Sequence, residues 1–230
     1  MREERDERRE EADRHMPRDV AASETEDDRC HDSRKTENDC RQQRLSHAGP
    51  IMSPSPFVME WLHRAQHSLL HGSRHSPRRA LDLAMGRGRH ARALARAGFR
   101  TFGVDLQFEA VRRALDDAIA DKVTIAGWCA DLRHHPLPRS RFDVIVVTRY
   151  LQRDLFVSIG DALAPDGVLI YETFTTLQRV CGRGPTSPDH LLEPGELRHA
   201  FGMLEILFYE EVSAPDALAR IVGRRAARRS

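Results

Sequence analysis

Several things are scarce in this chain, and each scarcity narrows what it can be. No apolar run reaches the roughly 18 residues of a membrane-spanning helix. The N-terminus is too charged for a secretory signal. Four cysteines, Cys30, Cys40, Cys129 and Cys181, are too few and too scattered for a disulfide framework, so a reducing cytoplasm is the expected setting. Cys30, His31, Cys40 and His47 lack the paired C-x-x-C spacing of a tetrahedral site, and no metal is expected. Lysine occurs only at Lys35 and Lys122, so the basic charge is almost all arginine.

The first fifty residues contain no Phe, Tyr or Trp and almost no Leu, Ile or Val. They carry 11 basic against 15 acidic residues, which leaves 25 against 20 for the rest, a mildly basic body. Such a segment cannot bury enough apolar surface to offset its chain entropy, so residues 1–52 are expected to be a disordered charged tail and 53–230 the folded domain. Met52 stands just ahead of the first aromatic, Phe57, and is the expected start of the native chain.

From Phe57 onward the pattern changes. Apolar residues at 57, 58, 61, 62, 65, 69 and 70 have helical spacing. Short apolar runs then alternate with helical ones: strands over 80–85, 99–105, within 122–132, 142–148 and 168–174, and helices over 89–98, 108–121 and 151–163. "APDG" at 164–167 reads as a turn and 175–195 as a long loop, with a short helix at 196–202. Two last strands, 204–212 and 217–225, are separated only by "SAPD" and read as an antiparallel pair. This alternation predicts an α/β fold, an open and mostly parallel sheet with helices on both faces, whose ligands bind at the carboxyl ends of the strands.

Gly86-Arg87-Gly88-Arg89-His90-Ala91 fits G-x-G-x-x-A, which brings backbone close to a nucleotide-like ligand. An acid at the end of strand two, Asp105, suits ribose hydroxyls whether that ligand is a dinucleotide or S-adenosylmethionine. Asp82, four residues before Gly86, favours the second: it would repel a pyrophosphate and attract an ammonium or sulfonium. Asp131, just after strand three, suits the exocyclic amine of adenine, with Leu132 and Trp128 as apolar neighbours. Each acid has a plainer reading, as a cap or turn residue satisfying backbone amides.

"LDLAMGRGRHARALARAGFRTFGVD", "WCADL", "RFDVIVVTRYL", "LAPDGVLIYETF" and "GPTSPDHLLEPGEL" together resemble class I S-adenosylmethionine-dependent methyltransferases, in particular the small bacterial group similar to tellurite-resistance methyltransferases. The resemblance spans about residues 55–226. It implies a Rossmann-like seven-stranded sheet in the order 3-2-1-4-5-7-6 with strand 7 antiparallel. It also implies S-adenosylmethionine as cofactor, held by Asp82, Gly86, Gly88, Asp105, Leu106, Ala130, Asp131 and Thr148. Met85 stands where such sequences often have Cys.

Methyl transfer needs alignment and exclusion of water more than acid–base help, because the activation resides in the sulfonium. No catalytic residue is therefore fixed by sequence; Tyr150, Glu172 and His190 are the candidates, His190 within a loop read as a lid. Arg87 and Arg89 are candidates for the donor's carboxylate, Arg149 for lining the acceptor site, and Phe57 and Trp61 for closing the pocket from above. "TRYL" after strand four, the lack of a basic stripe and the lack of an appended module argue against nucleic acid. The expected reaction moves a methyl group to a small-molecule acceptor, with soft sulfur, selenium or metalloid nucleophiles the first class to test. RNA or protein acceptors, a non-catalytic S-adenosylmethionine-binding module and, third, an NAD-type oxidoreductase are the alternatives.

Overall fold

The computed structural model describes residues 53–70 and 78–227. The expectations for the charged tail, the Cys/His group within it and the start at Met52 lie outside those residues. A seven-stranded sheet runs through the chain in the order β3-β2-β1-β4-β5-β7-β6. Its strands are β1 (Arg79–Leu83), β2 (Arg100–Asp105), β3 (Ile125–Cys129), β4 (Phe142–Thr148), β5 (Leu163–Phe174), β6 (Glu205–Val212) and β7 (Leu218–Arg224). Among the described residues the helices are α1 (Pro56–Leu70), α2 (Arg89–Arg96), α3 (Phe108–Ala120), α4 (Phe156–Ala162) and α5 (Glu196–Ala200). β1 to β5 pair in parallel, and β7 runs antiparallel to both β5 and β6.

β4 shows why the sheet is covered on both faces. Its residues 142–147 are all buried, and from Val144 to Val147 they alternate between two cores. Val144 and Val146 pack with Phe57, Val58 and Leu62 of α1 and with Ala93 and Leu94 of α2. Ile145 and Val147 pack with Phe156 and Ile159 of α4 and with Leu197 of α5. A period of two with both phases apolar is the signature of a strand buried on both sides. Among the described residues, no helix is long and apolar enough to cross a membrane.

The order of strands is the one the family resemblance implied; two elements differ. The helix expected over 151–163 is a 3-10 turn at Arg153–Leu155 followed by the shorter α4. β5 begins at Leu163, not Val168, and takes in the expected "APDG" turn. Asp166, at φ 64°, bends the chain out within the strand, and pairing to β4 resumes after a register shift, from Phe142↔Leu163 to Val144↔Val168. The rings of Phe57 and Trp61 pack on Phe208 of β6, with centroids 5.8 and 5.5 Å away.

Candidate functional site

The carboxyl ends of β1, β2, β3 and β4 gather the residues singled out by sequence. After β1 the chain makes a tight loop, Ala84 to Gly88, into α2. Ala84, Gly86 and Gly88 all have left-handed backbone, at φ 54°, 54° and 68°. The loop is bound to β2 through Met85 N donating to Val104 O (3.0 Å) and Gly86 N donating to Asp105 Oδ2 (2.8 Å). Asp105 is buried, and its Oδ1 accepts from Gln107 N at 2.9 Å. Ala130 N donates to Asp105 O at 3.1 Å, which brings the tip of β3 to the same place.

The two glycines serve different ends. A Cβ on Gly86 would meet nothing within 4 Å, so open space lies in front of this backbone. A Cβ on Gly88 would lie 2.9 Å from Ala114 Cβ. Packing of the α2 start on α3 therefore demands that glycine. Gly88→Ala is expected to cost about 2 kcal/mol from overpacking and left-handed strain, read as a lowered urea midpoint. An unchanged midpoint would remove that packing account.

Asp82 points from β1 under the start of α2, where Oδ2 accepts from Ala91 N at 2.8 Å. Burial pushes its carboxyl up to about 7, against the lowering effect of that amide and of Arg89. It lies beneath the glycine loop and caps α2, the plainer of its two sequence readings. Asp131 is half-buried and grips Arg133, whose Nη2 donates to Oδ2 at 2.8 Å. The Arg133 hydrogen bond holds its carboxyl down at about 2. Leu106, next to Asp105, is an exposed apolar side chain, 48% accessible. Arg87 turns outward to Asp117 (3.4 Å).

On the other side of the loop lies a buried polar network that sequence reasoning missed. His90 Nε2 accepts from Ser55 N at 3.0 Å. A backbone N–H can only donate, so the ring proton sits on Nδ1 and points to Thr148 Oγ1, 3.2 Å away. Burial first, then Arg89 and Arg149, push His90 down to about 3, so it stays neutral. Ser55 Oγ donates to Glu172 Oε1 (2.9 Å), and Arg220 Nε donates to Glu172 Oε2 (2.7 Å). Arg220 also reaches Glu210 at 2.8 Å. Glu172, read as a base candidate, thus has both oxygens engaged and ties the start of α1 to the sheet. Arg220→Met would leave a buried carboxylate uncompensated, and a stability loss of about 2 kcal/mol is expected after allowing for the partial exposure of Arg220. Thermal melting checks this; equal stability would mean that the pair is not a tether.

The remaining candidates are spread out. Tyr150 donates to Gln152 Oε1, and its carbonyl accepts from Tyr171 Oη at 2.8 Å. The turn carrying His190 docks on Arg153, whose Nη2 donates to Leu191 O at 2.9 Å and Nη1 to Asp189 O at 3.5 Å. Arg149 follows Thr148 with left-handed backbone, φ 53°. That conformation costs a non-glycine residue about 1 kcal/mol and is a recurrent mark of functional sites.

Comparison with known proteins bears on what this arrangement is for. Residues 80–167 match a family described as a methyltransferase domain. No curated protein matches the chain. Solved structures do. A structure described under the conversion of a disulfide bond into a thioacetal group during echinomycin biosynthesis is 20% identical, with TM-score 0.61 over 79% of this chain and 85% of that one. TehB from Haemophilus influenzae is 17% identical, with TM-score 0.57 over 72% of this chain and 62% of its own. An S-adenosylmethionine-dependent methyltransferase from Mesorhizobium loti is 20% identical, with TM-score 0.54 over 73% and 98%.

Proposed function

We propose that the chain carries a class I S-adenosylmethionine-dependent methyltransferase domain and moves a methyl group to a small-molecule acceptor, a reading supported by the match of residues 80–167 to a methyltransferase-domain family. The observation that supports this best is the glycine loop tied to Asp105, with open space in front of Gly86. A nucleoside-bearing ligand needs close backbone beside an acid that can take ribose hydroxyls, and both are here.

When bound, S-adenosylmethionine supplies a methyl group already activated by its sulfonium. The chain's own residues bind, orient and exclude water. In this reading Asp105 accepts from the ribose hydroxyls, which requires Gly86 N or Gln107 N to share its oxygens. Asp131 and Leu106 take the adenine, Asp131 through its amine and Leu106 through its face, with Ala130 backbone between them. The Gly86 loop lies along the methionyl part. Arg89 takes the carboxylate there: it is half-buried, and its hydrogen bond is a long one, 3.4 Å to Ser53 O. Asp82 acts through the loop it supports. Thr148, held by the His90 Nδ1 proton, keeps its own hydroxyl proton for a ligand on the β4 side. Glu172 serves as a tether and not as the base; Tyr150 remains beside the acceptor side, and His190 belongs to the loop that follows β5.

The test is turnover. Labelled methyl groups from S-adenosylmethionine should appear on at least one small acceptor among thiols, selenols and metalloid oxyanions, and Gly86→Ala should lower that rate at least tenfold. Tight donor binding with no transfer to any of these, nor to other small-molecule extracts, would leave a binding module in place of an enzyme.

A further inference from the structure

The ends of β4, β5 and β7 carry a group of arginines that donor binding does not use. Arg149 Nη2 pairs with Asp216 Oδ2 at 3.2 Å. Arg183, from the loop after β5, pairs through Nε with the other oxygen of the same carboxylate at 3.0 Å. Two guanidiniums therefore share one acid. Arg220 lies between two further acids, Glu172 and Glu210, and offsets one of their two charges.

Their placement is built. Gln178 is fully buried; its Nε2 donates to Arg183 O at 2.9 Å and its Oε1 accepts from Ala217 N at 2.6 Å. Arg183 Nη2 donates to Pro215 O at 2.5 Å. The loop is thus pinned to the start of β7 with Arg183 facing Arg149 across Asp216. Arg149 stacks on Phe174, with Cζ 5.5 Å from the ring centroid, and only 24% of its side chain is accessible. A guanidinium has five N–H donors, and among the described residues Arg149 spends them on Asp216 alone. A largely buried, stacked cation with most of its donors unspent and half a counter-ion is arranged to take an oxyanion. In the adjoining turn, Thr175 N donates to Ala217 O at 3.0 Å, while the buried Thr175 Oγ1 has no hydrogen-bond partner among the described residues.

Resting on the methyl-transfer reading above, we propose that the acceptor bears an oxyanion, a carboxylate or a phosphate, seated on Arg149 and Arg183 beside Asp216. Arg149 adjoins Thr148, whose hydroxyl meets His90 next to Arg89. The two arginines Arg89 and Arg149 thus flank one contact pair, and the charge of Arg149 contributes, after burial, to lowering the pKa of Arg89. Two adjacent cations of this kind suit two anions, the carboxylate of the donor on one and the acceptor on the other.

The experiment uses the full chain and titration calorimetry in two stages. S-adenosylhomocysteine is titrated first, and its failure to bind would sink the methyl-transfer reading and this proposal with it. Benzoate, inorganic phosphate and neutral benzyl alcohol are then titrated into the protein saturated with that product. Benzoate or phosphate should bind, weakening as salt rises, and benzyl alcohol should bind at least tenfold more weakly. Arg149→Gln and Arg183→Gln should each cut anion affinity at least tenfold and leave S-adenosylhomocysteine affinity within twofold. Arg183 lies on an exposed loop, so its variant serves if Arg149→Gln folds poorly. Which of the two probes binds tells carboxylate from phosphate. No anion binding to the loaded protein, binding indifferent to both substitutions, or binding that S-adenosylhomocysteine displaces would overturn the proposal. The last outcome would give the arginines to the donor's carboxylate.

Discussion

Asp105→Ala is expected to weaken S-adenosylmethionine binding by about 1–3 kcal/mol through lost charge-assisted hydrogen bonds to the ribose. The same change should lower stability by a similar amount, because Gly86 N and Gln107 N both lose a buried acceptor. Asn is no rescue. Both oxygens of Asp105 accept from N–H groups, and an amide would turn its NH2 toward one of them. A 2′-deoxy analogue of S-adenosylhomocysteine separates the two effects. It should bind the native protein more weakly than the parent compound, and the difference should vanish in Asp105→Ala. An undiminished difference in the variant would take Asp105 off the ribose.

The second large effect lies in the pH dependence of stability. Burial raises Asp82 from 3.8 to about 7, so its neutral form is favoured in the folded chain. Its contribution is fully present below pH 3.8 and is lost as pH rises toward 7. His90 runs the other way. Its pKa falls from 6.5 to about 3, so its contribution is present above pH 6.5 and is lost as pH falls toward 3. Each amounts to about 4 kcal/mol at most. Between about pH 4 and 6.5 they oppose each other, and this pair leaves the native protein a shallow profile. Asp82→Asn should expose the His90 slope, with stability rising with pH across that window. His90→Gln should expose the Asp82 slope, with stability falling. Urea unfolding of both variants from pH 4 to 7 checks the signs, and parallel profiles for the two would contradict these burial-driven shifts.

Much of the sheet was legible because its signals are local. A buried parallel strand writes itself as a short apolar run, and "ALDL", "FDVIVV" and "VLIY" do so without ambiguity. Gly98, at φ 87°, ends α2 as a helix-terminating glycine should. The acids after β2 and β3 were found because their positions follow from strand ends. What escaped was set by tertiary contact. Asp166 was read as a turn because Asp-Gly usually is one, yet pairing on both flanks absorbs it into β5. The Ser55–Glu172 bond joins residues 117 apart, and nothing in "MSPSPF" announces it. The Arg149–Asp216 pair spans 67 residues, and the left-handed backbone at Arg149 has no glycine or asparagine to mark it. His90 occupies an unspecified position of the glycine motif. Only its burial beside Ser55 and Thr148 reveals it as a neutral hinge pin of the network.

A crystal structure of the chain with S-adenosylhomocysteine tests the account most directly. Ribose hydroxyls within hydrogen-bond reach of Asp105, adenine beside Asp131 and Leu106, and the homocysteine chain along Gly86 with its carboxylate at Arg89 are the expected result. Product density anywhere else, with the space before Gly86 filled only by water, would contradict it.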